Sequence, residues 1–210
     1  MKFLNLNKVL CLSAHPDDVE YGMLGSMATY RETQFDVLVL SDGGDFDETT
    51  GVDRTKECLY IWDWFENVNG EFSKQSHVKS ESEDFWVNHI ENKYDISSYG
   101  AICTLPRHDS HFEHRMVNHI SYALLRGKDV GLITYRAPST LEEWIPNYYV
   151  DVNSVMTNKI GLLREGFVSQ KDKLYFQKQS IRDFHTNYLC SKVGVGYVEQ
   201  FRIERLFGSK

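Results

Sequence analysis

The run Lys8-Val9-Leu10-Cys11-Leu12-Ser13-Ala14 passes directly into His15-Pro16-Asp17-Asp18-Val19-Glu20. Its first half is a short, almost unbroken apolar stretch, which reads as a buried strand. Its second half places an imidazole and two adjacent carboxylates (His15, Asp17, Asp18) where that strand must end. Residues 21–31 follow as a helix, with Gly22 and Gly25 allowing close approach to a sheet. Buried strand, polar turn and helix together open a βαβ unit.

The same alternation continues along the chain. Residues 35–40 (FDVLVL) read as a second strand, stopped by Ser41-Asp42-Gly43-Gly44. Residues 53–66 have helical spacing, 68–72 form a short strand and 81–93 a helix. Residues 101–105 (AICTL) are a strand ended by Pro106, 112–126 a helix and 130–135 a strand. Residues 148–152 add an edge strand, and 153–165 and 171–190 read as two closing helices. Strands alternating with helices predict the α/β class: a Rossmann-like, mainly parallel sheet with helices on both faces. At about 150 residues per domain, residues 1–210 make one domain. In such sheets ligands bind beyond the carboxyl ends of the strands. That directs attention to the loops after Ala14, Leu40 and Leu105.

Composition narrows the function classes. Lys and Arg number 23 against 30 Asp and Glu, a net charge of −7 with His neutral, which does not suit a dedicated nucleic-acid binder. Hydrophobic residues are 41% and aromatics 13%, enough for a sizeable core. The four cysteines (Cys11, Cys58, Cys103, Cys190) form no C-x-x-C pair, so neither a zinc ribbon nor a redox motif is expected. A reducing, cytoplasmic compartment is expected instead. No apolar run approaches the ~18 residues of a membrane span. Asn5, Asn7 and Lys8 interrupt the amino-terminal apolar residues, which read as a lead-in to the first strand rather than a signal peptide.

Burying His15, Asp17 and Asp18 together is costly unless something pairs with them, and a divalent cation is an economical partner. Pro16 restricts the chain so that His15 and Asp18 can converge, leaving Asp17 pointing elsewhere as a free base. The competing reading is an Asp-rich cap on the following helix. A second polar cluster, Arg107-His108-Asp109-Ser110-His111-Phe112-Glu113-His114-Arg115, holds three of the eight histidines. His111 and His114 share a helix face, so one can bind metal while the other stands over a reacting atom. His108 reads as a solvated loop residue and His119 as a buried helix histidine. His77, His89 and His185 read as core or surface. Two imidazoles, a carboxylate and an open position make up a catalytic zinc site.

These residues resemble the LmbE/PIG-L family of zinc-dependent N-acetylglucosamine deacetylases. His15-Pro16-Asp17-Asp18-Val19-Glu20 is similar to its signature, and Gly22, Gly25 and Ser26 to its small-residue helix start. Ser41-Asp42-Gly43, Arg54 with Glu57, Asp109 to His114, and Gly194-Val195-Gly196-Tyr197-Val198-Glu199 resemble its later motifs. Leu24, Phe112 and Glu113 depart from the family pattern, where Gly, Pro or Gln, and Asp are usual.

The resemblance implies an enzyme, a hydrolase that removes an acetyl group from an N-acylated amino sugar or its conjugate. It implies His15, Asp18 and His114 as ligands of Zn2+, with another divalent metal such as Fe2+ as the alternative. The ion lowers the pKa of a bound water to about 7. Asp17 is implied as general base and His111, if protonated, as the oxyanion's partner. Arg54 and Tyr197 are implied at the substrate, and Glu113 and Asp109 behind the ligands. Asp42 reads as a turn former. Relatives are often oligomeric, so a homo-oligomer is expected by analogy. The alternative is a catalytically silent binder of sugars or nucleotides on the same scaffold. A dinucleotide enzyme is disfavoured, because no G-x-G-x-x-G follows a strand. The aromatic segment 136–151 reads either as a lip over the site or as a packing surface.

Overall fold

The computed structural model describes residues 1–43 and 54–208. Among these residues seven strands form one sheet: β1 (Lys8–Ser13), β2 (Gln34–Val39), β3 (Val68–Phe72), β4 (Ala101–Thr104), β5 (Gly131–Tyr135), β6 (Tyr148–Asp151) and β7 (Val198–Arg205). Their spatial order is β3-β2-β1-β4-β5-β7-β6. The first five in that order run parallel, while β7 is antiparallel to both β5 and β6. The expected α/β class with a mainly parallel sheet is the architecture observed. The apolar runs are continuous because these strands are buried on both faces: Val9, Leu10, Cys11 and Leu12 of β1 have no exposure at all.

Among the described residues seven α-helices accompany the sheet: α1 (Asp18–Thr29), α2 (Arg54–Trp62), α3 (Glu83–Lys93), α4 (Phe112–Leu124), α5 (Met156–Gly166), α6 (Lys178–Phe184) and α7 (Tyr188–Val193). Helices α1 and α2 pack on α5, whereas α3 packs on α4, so the two groups form separate layers. Almost every residue of α1 is buried. Gly22 is required there, since a Cβ would lie 2.7 Å from the Tyr135 ring and 2.8 Å from the Arg136 carbonyl oxygen.

Three expectations are corrected. The segment 171–190 is not one helix: a 3-10 turn (Leu174–Phe176), α6 and α7 divide it, and α7 is capped by left-handed Gly194. Strand β7 lies where no strand is expected, because Glu199, Arg202 and Glu204 break the apolar alternation. His119 is exposed, not buried, and faces Glu83 at 3.4 Å. Asp53 and Gly44, the expected helix start and turn end, lie outside the described residues.

The chain leaves β1 toward β2 on one side and reaches β4 on the other. The β1/β4 boundary is therefore the topological switch point, where the connections diverge and leave a crevice at the carboxyl ends. The loops after Ala14 and Leu105 open into that crevice.

Candidate active site

A cavity of about 630 Å³ lies there, and His15, Asp17, Asp18, Arg54, His111, Glu113 and His114 all line it. The turn after β1 folds back on itself. The Asp18 carboxylate accepts the His15 backbone N–H at 2.9 Å and a bond from Ser13 Oγ at 3.3 Å. Asp17 stands at the N-cap of α1 with φ 114°, a left-handed conformation that costs a non-glycine residue about 1–3 kcal/mol. Its backbone N–H donates to Glu20 Oε2 at 3.2 Å. The turn is thus a helix start, as the capping alternative holds, but both aspartate side chains project into the cavity.

Three groups converge. His15 Nδ1 lies 3.3 Å from His114 Nε2, and the Asp18 carboxylate oxygens lie 3.2 Å from His114 Nε2 and 3.5 Å from His15 Nδ1. A tetrahedral ion with ligand bonds of about 2.0–2.1 Å separates its ligands by about 3.3–3.4 Å. These donor atoms therefore fit a divalent ion. His111 adds a third imidazole: His15, His111 and His114 each offer a ligand atom, all within 4.8 Å of one another.

Carboxylates behind the rings set their tautomers. Glu113 Oε2 lies 2.7 Å from His15 Nε2, and Asp109 Oδ2 lies 3.1 Å from His114 Nδ1. Each takes one N–H and leaves the other nitrogen's lone pair facing the common point. Ser139 Oγ also reaches His114 Nδ1, at 3.1 Å. Glu113 is held by the backbone N–H of Lys79 at 2.9 Å.

The electrostatics show a seat for positive charge. Burial disfavours the protonated form of His114, yet Asp18 and Asp109 overcome it and lift its pKa to about 10. Burial likewise opposes charge on His15, but Asp18 and Glu113 raise it. Burial would raise Asp18, and the two imidazoles instead hold it well below the usual carboxylate range. His111 runs the other way: burial first, then His15 and His114, lower its pKa and so favour the neutral ring.

Asp17 is buried, and burial raises its pKa to about 6 against the pull of Arg54. Arg54 Nη2 donates to Asp17 Oδ2 at 2.9 Å and also to the Pro16 carbonyl oxygen. Asp17 is therefore not free, as expected of a base pointing elsewhere, but oriented by a buried guanidinium. Gly43 makes room for this pair, since a Cβ there would lie 2.7 Å from Arg54 Nη1.

Tyr197 is not brought to the cavity. Its ring packs on the core, and its backbone N–H donates to Asn153 Oδ1 at 2.8 Å. The segment 136–151 gives the cavity Pro138 and Ser139. Its aromatics pack away from it: buried Trp144 donates to Thr134 Oγ1 at 2.9 Å, and Tyr148 lies against Phe3 and Phe201. His77, Lys79, Lys173 and Tyr175 line the cavity without being anticipated. They arrive from connections that carry no motif.

No family model matches the sequence, and no curated protein matches it either. Solved structures do match. N,N'-diacetylchitobiose deacetylase from Pyrococcus horikoshii, in complex with an inhibitor, aligns with a TM-score of 0.76 at 20% identity over 96% of this chain and 85% of its own. A teicoplanin deacetylase in a zinc-inhibited form aligns with a TM-score of 0.70 at 14% identity over 93% and 97%. This chain shares their fold. GalB, a 4-carboxy-2-hydroxymuconate hydratase from Pseudomonas putida, has it too, with a TM-score of 0.76 at 15% identity over 100% and 99%. Solved structures of this fold thus include deacetylases and a hydratase, so the fold alone does not set the chemistry.

Proposed function

We propose that this protein is a metal-dependent amide hydrolase that removes an N-acetyl group from an amino sugar or a sugar conjugate. The observation that carries the reading is the triangle of His15 Nδ1, His114 Nε2 and the Asp18 carboxylate, 3.2–3.5 Å on a side, with the Asp17 carboxyl beside it in a sugar-sized cavity. In this reading His15, Asp18 and His114 hold the ion, zinc foremost and ferrous iron as the alternative. When bound, the ion supplies Lewis acidity that lowers the pKa of water.

The chain's own residues do the rest. Asp17 accepts the proton of the attacking water and returns one to the departing amine, and a pKa near 6 suits both tasks near neutral pH. Arg54 keeps that carboxyl aimed. His111, neutral, donates an N–H to the oxygen on which negative charge develops. Glu113 and Asp109 keep the His15 and His114 rings in the tautomers that face each other. The products are acetate and a free amine. The four cysteines are unpaired and buried, which fits a reducing cytoplasm. No helix among the described residues is long and apolar enough to cross a membrane.

The experiment is an acetate-release assay on N-acetylated sugars with one equivalent of zinc per chain and with chelated protein. That stoichiometry avoids excess zinc, given the zinc-inhibited neighbour. Release that disappears on chelation and returns with metal supports the reading. Sugar binding without turnover by metal-loaded protein overturns it in favour of a silent binder.

A further inference from the structure

The described carboxylates lining the cavity are already engaged. Asp17 pairs with Arg54 at 2.9 Å, Asp18 faces two imidazoles, and Glu113 faces His15 and the Lys79 backbone. Two ammonium groups in the same lining, Lys79 and Lys173, form no ion pair among the described residues. Several other lysines of the chain form none either, but these two line the cavity, whereas Lys8, Lys93, Lys128 and Lys159 each meet a carboxylate at 2.6–2.9 Å elsewhere. They enter the cavity beside different groups. Lys79 sits on the Glu113 and His15 side, while Lys173 is close enough to Asp17 to favour its ionised form.

The segment that carries Lys173 is pinned. Glu57 accepts the Ser169 backbone N–H at 2.8 Å and its hydroxyl at 2.6 Å, and Tyr21 Oη donates to the Tyr175 carbonyl at 2.7 Å. The sign matters, because the chain as a whole is acidic, with a net charge of −7. Unpaired cations at the mouth of a cleft offset that repulsion locally and attract an oppositely charged ligand.

We infer that the substrate carries an anionic substituent, a phosphate or a carboxylate, which Lys79 and Lys173 bind beside the amide to be cleaved. The inference rests on the hydrolase reading and adds the charge class of the group attached to the acylated sugar.

The test compares three probes on metal-loaded protein: N-acetylglucosamine 1-phosphate, N-acetylmuramic acid and neutral methyl N-acetylglucosaminide. At least one anionic probe should be hydrolysed with kcat/KM tenfold or more above the neutral glycoside, and which one separates phosphate from carboxylate. The advantage should shrink with added salt. In K79Q/K173Q the ratio should fall at least fivefold, chiefly through KM. An anion that merely touches the metal would keep its advantage in that variant, and that result overturns the inference. Equal kcat/KM for all three probes overturns it too. If none is hydrolysed, the hydrolase reading fails separately, and calorimetric binding of the same probes to wild type and K79Q/K173Q decides the cation site. Tighter anionic binding that the variant loses upholds it, and equal binding overturns it.

Discussion

Asp17 combines a strained backbone with a raised pKa. Its φ of 114° turns the carboxyl toward Arg54 and the cavity, while burial raises its pKa to about 6. Asp17→Asn keeps the shape and removes the base. The variant should retain metal and circular dichroism while losing at least about 100-fold in kcat. Full activity in metal-loaded variant would take Asp17 out of the mechanism. The three clustered histidines differ in the same testable way. His114→Ala removes a donor of the 3.2–3.5 Å triangle and should lower bound metal per chain. His111→Ala should keep metal and lower kcat by about 100-fold. Metal analysis showing the reverse would exchange their roles.

At the scale of elements, α1 must be held in register, because its first turn presents Asp17 and Asp18. A buried hub does this. Glu199 of β7 accepts the backbone N–H groups of Gly25 and Ser26 at 2.6 and 2.7 Å, and pairs with Lys159 of α5 at 2.6 Å. Lys159 also donates to the Tyr21 carbonyl at 2.6 Å and to His185 Nε2 at 2.7 Å. Glu199→Ala would leave a buried ammonium uncompensated, and urea unfolding should show a loss of about 3–5 kcal/mol. His185 is kept neutral, since burial and then Lys159 lower its pKa well below the usual value. The unfolded chain binds that proton below about pH 6.5 and the folded chain does not. Stability should therefore fall as pH drops through that region, more steeply in wild type than in His185→Gln. Equal slopes would remove His185 as the cause. Elements differ in how legible they were. The buried parallel strands and the His-Pro-Asp-Asp turn are written locally in apolar runs and turn residues, so they are legible in the sequence. Strand β7 and the Lys173–Tyr175 wall are not: their side chains gain meaning only from packing against β5, β6 and Tyr21. The loss of continuity in 171–190 was equally hidden, because no proline or internal glycine marks its breaks.

Across the whole molecule, the strand order explains why residues nearly a hundred positions apart share one site. β1 and β4 are neighbours at the switch point, so the loops that follow them meet over the same crevice. The first of these loops announced itself by composition, the second by its histidines, but their closeness came only from fold logic. An ion bound between them would join the two halves of the sheet through side chains. Chelation should accordingly lower the melting temperature, and a metal present at 100 times its Kd should contribute about 2.7 kcal/mol. Unchanged melting would separate the cluster from metal binding. The most direct measurement is the anomalous difference density of a zinc-loaded crystal. One ion per chain is expected, within about 2.0–2.2 Å of His15 Nδ1, His114 Nε2 and an Asp18 oxygen. Density at other residues, or none between these three, would contradict the account.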